Sequence, residues 1–294
     1  MTITSEIGAA NAVLDTDPPP IIVINLDRDI DRLIHMEREL SAVGLCFKRH
    51  RGVLGLSLPA HLAPFFDSAS PLRQGEVGCY ASHLDVLSAI AAGQHGAAAI
   101  VMEDDLSIHS DFPEVVKGLM KSLPLGWDIV RLSNEPKRAF VAVDRLGDDR
   151  WLIKYSKIPN SAGAYLVNPA GARKLLGQTR RRRAFDEDLR RPWNYDLNVY
   201  GVTPPPIIPD CLTSTIDDLE PGRLVRRGSV LGRLRRTAWR ESWRRLVFNM
   251  LDLGFNLWVK CLLQNAATRL RLRPKSPAPI GSLAACGIKH QKAP

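Results

Sequence analysis

Three consecutive carboxylates, Glu103, Asp104 and Asp105, close the apolar run AAAIVM at residues 97–102. Carboxylates at the end of a buried strand repel one another and lose hydration, so they call for a cation. Hard divalent ions such as Mg²⁺ or Mn²⁺ take oxygen ligands and often share them with a substrate diphosphate. If the chain stays extended past Met102, period two puts Glu103 and Asp105 on one side and Asp104 on the other. Such a pair can hold a metal and a nucleotide at the carboxyl edge of an open α/β sheet, where ligands usually bind. The competing reading is an acidic turn leading into a helix at 111–121.

Other residues could join this chemistry. Arg28 and Arg32 carry planar guanidinium groups suited to phosphate oxygens, or they line a solvated helix face. His83 shares a helical stripe with Cys79, Tyr80, Leu87 and Ile90, the setting of a hydrogen-bonded core histidine. Glu76 falls in the first turn of that helix, where a carboxylate favours the dipole. Gly75 and Gly78 permit close backbone approach without the spacing of a phosphate loop. Asp186 and Asp188 could accept a proton or position a hydroxyl, or could pair with the arginine run 180–183. Asp196 competes for the same role. No Ser-His-Asp arrangement, zinc-ligand spacing or dinucleotide fingerprint stands out.

The elements that must position these residues alternate. Residues 21–26 (IIVINL) read as a strand buried on both faces, followed by a helix at 29–43 that Gly44 stops. A strand at 45–49, a loop with a short helix at 52–72, and a helix at 75–92 precede the strand at 97–102. Then come the helix 111–121, strands at 127–132 and 164–167, and a helix at 169–176 with Pro169 at its start. The stretch 202–208 contains three prolines and reads as an edge or extended segment. This alternation predicts an α/β fold with a mostly parallel sheet and helices on both faces.

The chain has 294 residues, 45% of them hydrophobic, enough for one large domain with an appendage. Its net charge of +9 is uneven: from Pro221 onward 16 Lys and Arg face only Glu241 and Asp252, so that stretch carries +14 and residues 1–220 carry −5. The five cysteines are scattered without metal-ligand spacing, which points to reduced thiols and a cytoplasmic setting. The first 20 residues read as a loose leader without a secretory signal.

In the basic stretch, Trp239, Trp243, Leu246, Val247, Met250, Leu253, Leu257 and Cys261 recur at helical spacing, with Arg233, Arg236, Arg240 and Arg244 along another face. Asp252 and Lys260 argue against a spanning helix. The pattern fits helices lying on an anionic bilayer through 233–263, or packing back on the body. The acidic body argues against a nucleic-acid partner. The expected organisation is a leader at 1–20, a domain at 21–220, a basic helical extension at 221–272 and a flexible tail at 273–294.

Five ordered blocks resemble glycosyltransferase family 25, the family of lipopolysaccharide and lipooligosaccharide galactosyl- and glucosyltransferases. They are Ile24-Asn25-Leu26-Asp27-Arg28 with Asp29 and Arg32; Gly75-Glu76-Val77-Gly78-Cys79 with Ser82-His83; and Ile100 to Asp105. The fourth is Ser161-Ala162-Gly163-Ala164-Tyr165 with Gly171-Ala172. The last is Phe185-Asp186-Glu187-Asp188-Leu189, continuing to Tyr200-Gly201-Val202 and Pro205-Pro206. Phe185 and the arginines before it depart from the pattern on the acceptor side.

The resemblance implies a GT-A-like fold and inverting transfer of galactose or glucose from a UDP-sugar to a lipopolysaccharide or other saccharide acceptor. It implies Asp105 as the principal Mn²⁺ or Mg²⁺ ligand, with Glu103 assisting or holding the ribose and Asp104 as the alternative. It places Asn25, Arg28, Arg32, Glu76, His83 and Asp104 around the nucleotide-sugar, and Asp186, then Asp188, as the base. A lipid-linked acceptor would place the protein peripherally on the inner face of the cell membrane. Two rivals are a non-catalytic membrane-associated saccharide-binding or assembly protein derived from such an enzyme, and a metal-dependent nucleotidyltransferase.

Overall fold

The first strand, β1 (Ile21–Asn25), is apolar from Ile21 to Ile24 because both of its faces are covered. A computed structural model describes residues 18–67, 70–177, 180–210, 231–270 and 279–282. After β1 come α1 (Ile30–Ala42), β2 (Lys48–Arg51), a 3₁₀ turn (Ala63–Phe65), α2 (Gln74–Ala91), β3 (Ala99–Met102), β4 (Leu106–Ile108) and α3 (Phe112–Ser122). They are followed by β5 (Ile129–Arg131), β6 (Phe140–Leu146), β7 (Arg150–Tyr155), β8 (Ala164–Val167), α4 (Pro169–Leu176) and α5 (Phe185–Leu189). The remainder is β9 (Val199–Thr203), β10 (Ile207–Pro209), α6 (Leu231–Leu253), α7 (Phe255–Arg269) and β11 (Pro279–Ser282).

Nine strands form one sheet in the order β11-β6-β7-β9-β5-β8-β3-β1-β2. Ile22, Val101, Tyr165 and Ile129 face α2, α4 and α5, burying Tyr80, Leu84, Leu87, Leu175 and Phe185. Ile21, Val23, Ile100, Met102 and Val130 face the other way, against Met36 and Leu40 of α1 and Phe112, Val115 and Leu119 of α3. This is the expected α/β, GT-A-like architecture. The sheet is mixed: β1 pairs in parallel with β2 and β3, and β5 with β9. Strand β8 runs antiparallel between β3 and β5, and β6–β7 is a hairpin.

The sequence reading missed that hairpin because FVAVDRL and RWLIKY mix charge with apolar residues on both sides. The second strand lies three residues later than expected, at 48–51. Val202 and Thr203 belong to β9, an interior strand, rather than to an edge. The prolines begin one residue beyond its last ladder pair, where no sheet hydrogen bond is lost. Of the expected leader, residues 1–17 lie outside the described residues, and Pro20 accepts a hydrogen bond from the Ile100 amide. Pro279–Ser282, within the stretch expected to be flexible, pairs as β11 with β6.

Helices α6 and α7 pack on the body through a contact that is polar along much of α6 and apolar at the helix junction. The polar side of α6 faces inward: Asp252 binds the buried Lys154 ammonium at 2.6 Å, Asn249 donates to the Ser156 carbonyl, and Glu241 holds Arg191 and Arg183. Leu253, Leu257 and Cys261 seat the helix junction against Ala139 and Val141 of the hairpin region. Outward stand Trp239, 69% exposed and stacked on Trp243, with Leu251, Phe255, Leu262, Leu263 and Leu270 also exposed. Among the described residues no helix is long and apolar enough to cross a membrane.

Lys154 is 1% exposed, and burial together with the facing Tyr200 ring leaves Asp252 and Asn198 to hold its charge. Removing one partner of a buried pair strands the other. Asp252→Ala is therefore expected to destabilise the protein by about 3 kcal/mol in denaturant unfolding, while Lys154→Met/Asp252→Leu recovers most of that loss. Equal losses in the single and double variants would show that the pair does not hold the extension.

Candidate functional site

Strands β1, β2 and β3 run parallel, so their carboxyl ends open on one edge, and a cleft of ≈ 360 Å³ lies there. Its floor is Glu103, Asp104 and Asp105. One wall carries Arg28, Asp29 and Arg32 from the β1–α1 turn; the other carries Gly52 to Leu56 and the first turns of α2, down to His83. The second wall depends on missing side chains. A Cβ on Gly78 would stand 2.6 Å from the Val53 carbonyl oxygen, and one on Gly55 would stand 1.9 Å from that of Gln74. Ser82 locks this contact, accepting the Val53 amide at 2.7 Å while donating to the Gly78 carbonyl at 2.8 Å.

The acidic triplet does not keep the strand's alternation. Glu103 turns toward α2, where its carboxylate is 3.4 Å from His83 Nε2. Asp104 and Asp105 both turn toward α1 and pair with the Arg32 guanidinium, Asp104 at 2.8 Å. The chain bends after Glu103, whose amide donates to the Gly163 carbonyl, so the expected Glu103/Asp105 side no longer excludes Asp104. Asn25 completes the grip: its amide donates to Asp104 Oδ2 at 2.7 Å, and Arg49 Nε donates to its carbonyl oxygen at 3.0 Å.

Burial raises the Asp104 carboxyl to about 6, against the pull of Arg32 and Asn25. Asp105 is also raised, first by burial and then by the charge of Glu103, which Arg32 only partly offsets. Two carboxylates that repel each other while remaining about a third open to the cleft form a donor set that a hard divalent cation fits. Glu103 and Asp105 supply oxygens of the required kind.

A second grouping, Cys79, His83 and Glu103, brings ligand atoms within 4.8 Å of one another. Burial, and then Glu103 and Asp186, push the Cys79 thiol well above its ordinary range. His83 is already engaged, with Nδ1 at 3.0 Å from the Tyr165 hydroxyl. That grouping is better described as a hydrogen-bonded chain from Tyr165 through His83 to Glu103.

Of the remaining expected site residues, Arg28 lines the cleft and makes a 3.6 Å contact with Asp29, leaving it 44% exposed toward a ligand. Arg32 lines it too, engaged by the acidic pair. Glu76 closes the α2 capping box on Arg73, accepting its amide at 2.9 Å, so its N-terminal role is realised. Asp188 is buried and accepts the Tyr80 hydroxyl at 2.9 Å, in a network with Tyr195 and Arg181 that fixes α5. Asp186 points elsewhere: Asn160 donates to its carboxylate, and its charge reaches both Cys79 and the buried Arg131. Asp196 is exposed in a turn at φ +52°. The arginine run pairs with Asp67 and Glu241 rather than with Asp186 or Asp188.

Three residues hold places that the sequence reading did not assign them. Arg131 is fully buried at the end of β5, bonded to the Ser161 carbonyl, with its Nε and Nη1 lacking partners. Its signal was a cation inside the apolar run 127–132. Ser161, at φ +105°, holds a conformation that L-residues rarely adopt and turns that carbonyl to Arg131. Phe185, which departs from the expected pattern, stacks on His83 at 4.1 Å and 16°, tying α5 and Asp186 to the cleft.

The family model for glycosyltransferase family 25 (LPS biosynthesis protein) matches residues 18–189, more than half of the chain. The chain belongs to glycosyltransferase family 25. Family member 3 of human, named an inactive glycosyltransferase, is 30% identical over 151 residues, 47% of this chain and 23% of that protein. Procollagen galactosyltransferase 1-B of Xenopus laevis is 27% identical over 192 residues, 60% of this chain and 31% of its own. A putative glycosyltransferase of Acanthamoeba polyphaga mimivirus is 29% identical over 158 residues, 51% of this chain and 45% of its own. The chain thus spans less than half the length of these relatives, which include proteins named as galactosyltransferases and as inactive.

Asp104 gives this site a pH signature. Its folded pKa of about 6 lies above the ordinary 3.8, so the folded state holds the proton more tightly. Its contribution to stability is complete below the ordinary value and is lost as pH rises through about 6. With EDTA present, wild type should lose on the order of 2 kcal/mol relative to Asp104→Asn between pH 4 and pH 7. A pH-independent difference in denaturant unfolding would contradict the assignment.

Proposed function

We propose that this chain is an active hexosyltransferase that moves galactose or glucose from a UDP-sugar to a saccharide acceptor, with inversion at the anomeric carbon. The observation that carries the reading is the cleft's division of labour. Glu103 and Asp105 face the exposed Arg28, beside an apolar wall of Ile24, Leu26, Val53, Leu54 and Leu56. A nucleotide-sugar has the matching parts: a flat base, and a diphosphate that needs positive charge.

Glu103 and Asp105 would hold Mn²⁺ or Mg²⁺, which when bound supplies charge neutralisation for the diphosphate. Arg28 contributes a guanidinium to the same oxygens, and Arg32 keeps Asp104 and Asp105 ionised and oriented. Asp186 takes the proton of the acceptor hydroxyl as its oxygen bonds to the anomeric carbon. The bond from that carbon to the diphosphate breaks, and its electron pair leaves with UDP. Asn160 orients Asp186, and the His83–Phe185 stack fixes the distance between base and donor.

The inactive naming of some relatives makes a non-catalytic saccharide-binding role the alternative. A buried-edge carboxylate pair with mutual repulsion is costly for a protein that has no cation to bind, which favours catalysis. UDP release from a panel of UDP-hexoses, with Mn²⁺, Mg²⁺ or EDTA, tests this directly. Metal-dependent release should fall about 10²-fold or more in Asp105→Ala and in Asp186→Asn, with UDP-sugar binding lost only in the first. Wild-type protein that binds UDP-sugars but never releases UDP, even with saccharide acceptors, would be the non-catalytic form.

The acceptor is proposed to be lipopolysaccharide or another lipid-linked saccharide, presented at the inner face of the membrane in the cytoplasm. The outward apolar face of α6 and α7 supports this, because Arg240, Arg244, Lys260 and Arg269 stand exposed on the same helices. Tryptophan at an apolar edge with nearby cations suits an anionic bilayer surface. Cosedimentation with phosphatidylglycerol-containing vesicles should drop about tenfold in Trp239→Ser/Trp243→Ser and weaken with salt. Binding to neutral vesicles of equal strength would remove the electrostatic part of the reading.

A further inference from the structure

We propose that Arg138, Lys157, Arg190, Arg245 and Arg269 form a subsite for a phosphate or carboxylate group carried by the acceptor saccharide. The inference rests on Asp186 being the base of the transfer reaction, and it names the class of acceptor.

A recess of ≈ 220 Å³ lies where α6 meets the body, lined by Lys157, Arg190, Trp193 and Arg245. A wider groove of ≈ 900 Å³ is lined by Arg138, Trp151, Asn160 and Arg269. Arg190 and Asn160 connect the two to the chemistry: Arg190 Nη1 donates to Asn160 Oδ1 at 2.9 Å, and Asn160 donates to Asp186. Arg190 is therefore two hydrogen bonds from the proposed base, and the other cations lie close enough to act on Lys157 alongside it.

Among the described residues none of these five side chains makes a salt bridge. The two acids in the recess are already engaged, Glu241 by Arg183 and Arg191 and Asp252 by Lys154. The crowding is physical: burial lowers the Lys157 ammonium, and the charges of Arg190, Arg245, Arg138 and Arg269 lower it further. Burial, and then the charges of Arg190, Arg269 and Arg138, lower Arg245, with only Glu241 acting in the other direction. Arg190 Nε and Trp193 Nε1 are buried donors without partners among the described residues. A cluster of like charges with spare donors gains most from a compact anion with several oxygens, and guanidinium groups match phosphate and carboxylate geometry.

The test titrates the full chain with inorganic phosphate and, separately, with glucuronate, reading calorimetric binding and the shift in melting temperature. Wild type should bind one or both, with affinity that falls as salt rises. Lys157→Gln, at an exposed position, and Arg245→Gln should each weaken that binding about tenfold, the loss of one charged hydrogen bond. Both variants should melt no lower than wild type without the anion, because each removes a repulsion. Response to phosphate identifies a phosphorylated acceptor, and response to glucuronate alone a carboxylated one. Failure of both anions to bind, or variants that bind as wild type does, would overturn the proposal. UDP-hexose binding by wild type, measured alongside, tests the donor reading separately, so the two can fail independently.

Discussion

Carboxylates placed where a buried strand ends must be met by donors and cations from both sides of the sheet, and much of this molecule is arranged around that requirement. Asp104 and Asp105 draw Arg32 from α1, Asp104 draws Asn25 from β1, and Glu103 reaches His83 on α2. Each partner belongs to a different element, so the acidic triplet fixes the relative placement of the β1–α1 turn, β3 and α2. The residual repulsion between Glu103 and Asp105 is what a divalent cation would relieve.

The second wall of the cleft follows from backbone contact. Gly55 and Gly78 let the 53–55 loop lie directly on the first turns of α2, and Ser82 bonds across that seam. From the same helix, His83 carries order outward to Tyr165 on β8 and, through its ring stack, to Phe185 on α5. Asp188 anchors α5 from below through Tyr80, which frees Asp186 to face Asn160 and the groove. The two aspartates of one short helix thus differ by burial: Asp188 is closed into the core and Asp186 stays partly open.

The C-terminal helices show how a composition can be legible while its orientation is not. Tryptophan, leucine and arginine at helical spacing announced an amphipathic segment, and the alternatives were a bilayer or the body. Both faces of α6 are specialised. Its polar residues Glu241, Asn249 and Asp252 bind the body because the body offers buried or half-buried cations and a free carbonyl there, and its tryptophans face away. Nothing local to the helix states that Lys154, nearly a hundred residues earlier, needs Asp252.

Sequence by itself determined the α/β class, most of the strands and helices from 21 to 132 and from 164 to 176, and the family, because apolar periodicity, caps and short motifs are local properties of the chain. It also brought Arg28, Arg32, His83, Glu103, Asp104 and Asp105 into one candidate site, since all but His83 lie near the ends of elements whose direction the pattern gives. Tertiary structure decided the rest. It decided that Asp105 joins Asp104 on Arg32, that Asp186 rather than Asp188 faces outward, and that Phe185 is a bridge and Arg131 a buried cation. Those outcomes depend on which distant side chain arrives with the opposite charge or the matching ring, and on how much water is left when it does. Both are properties of the packed chain and of no segment within it.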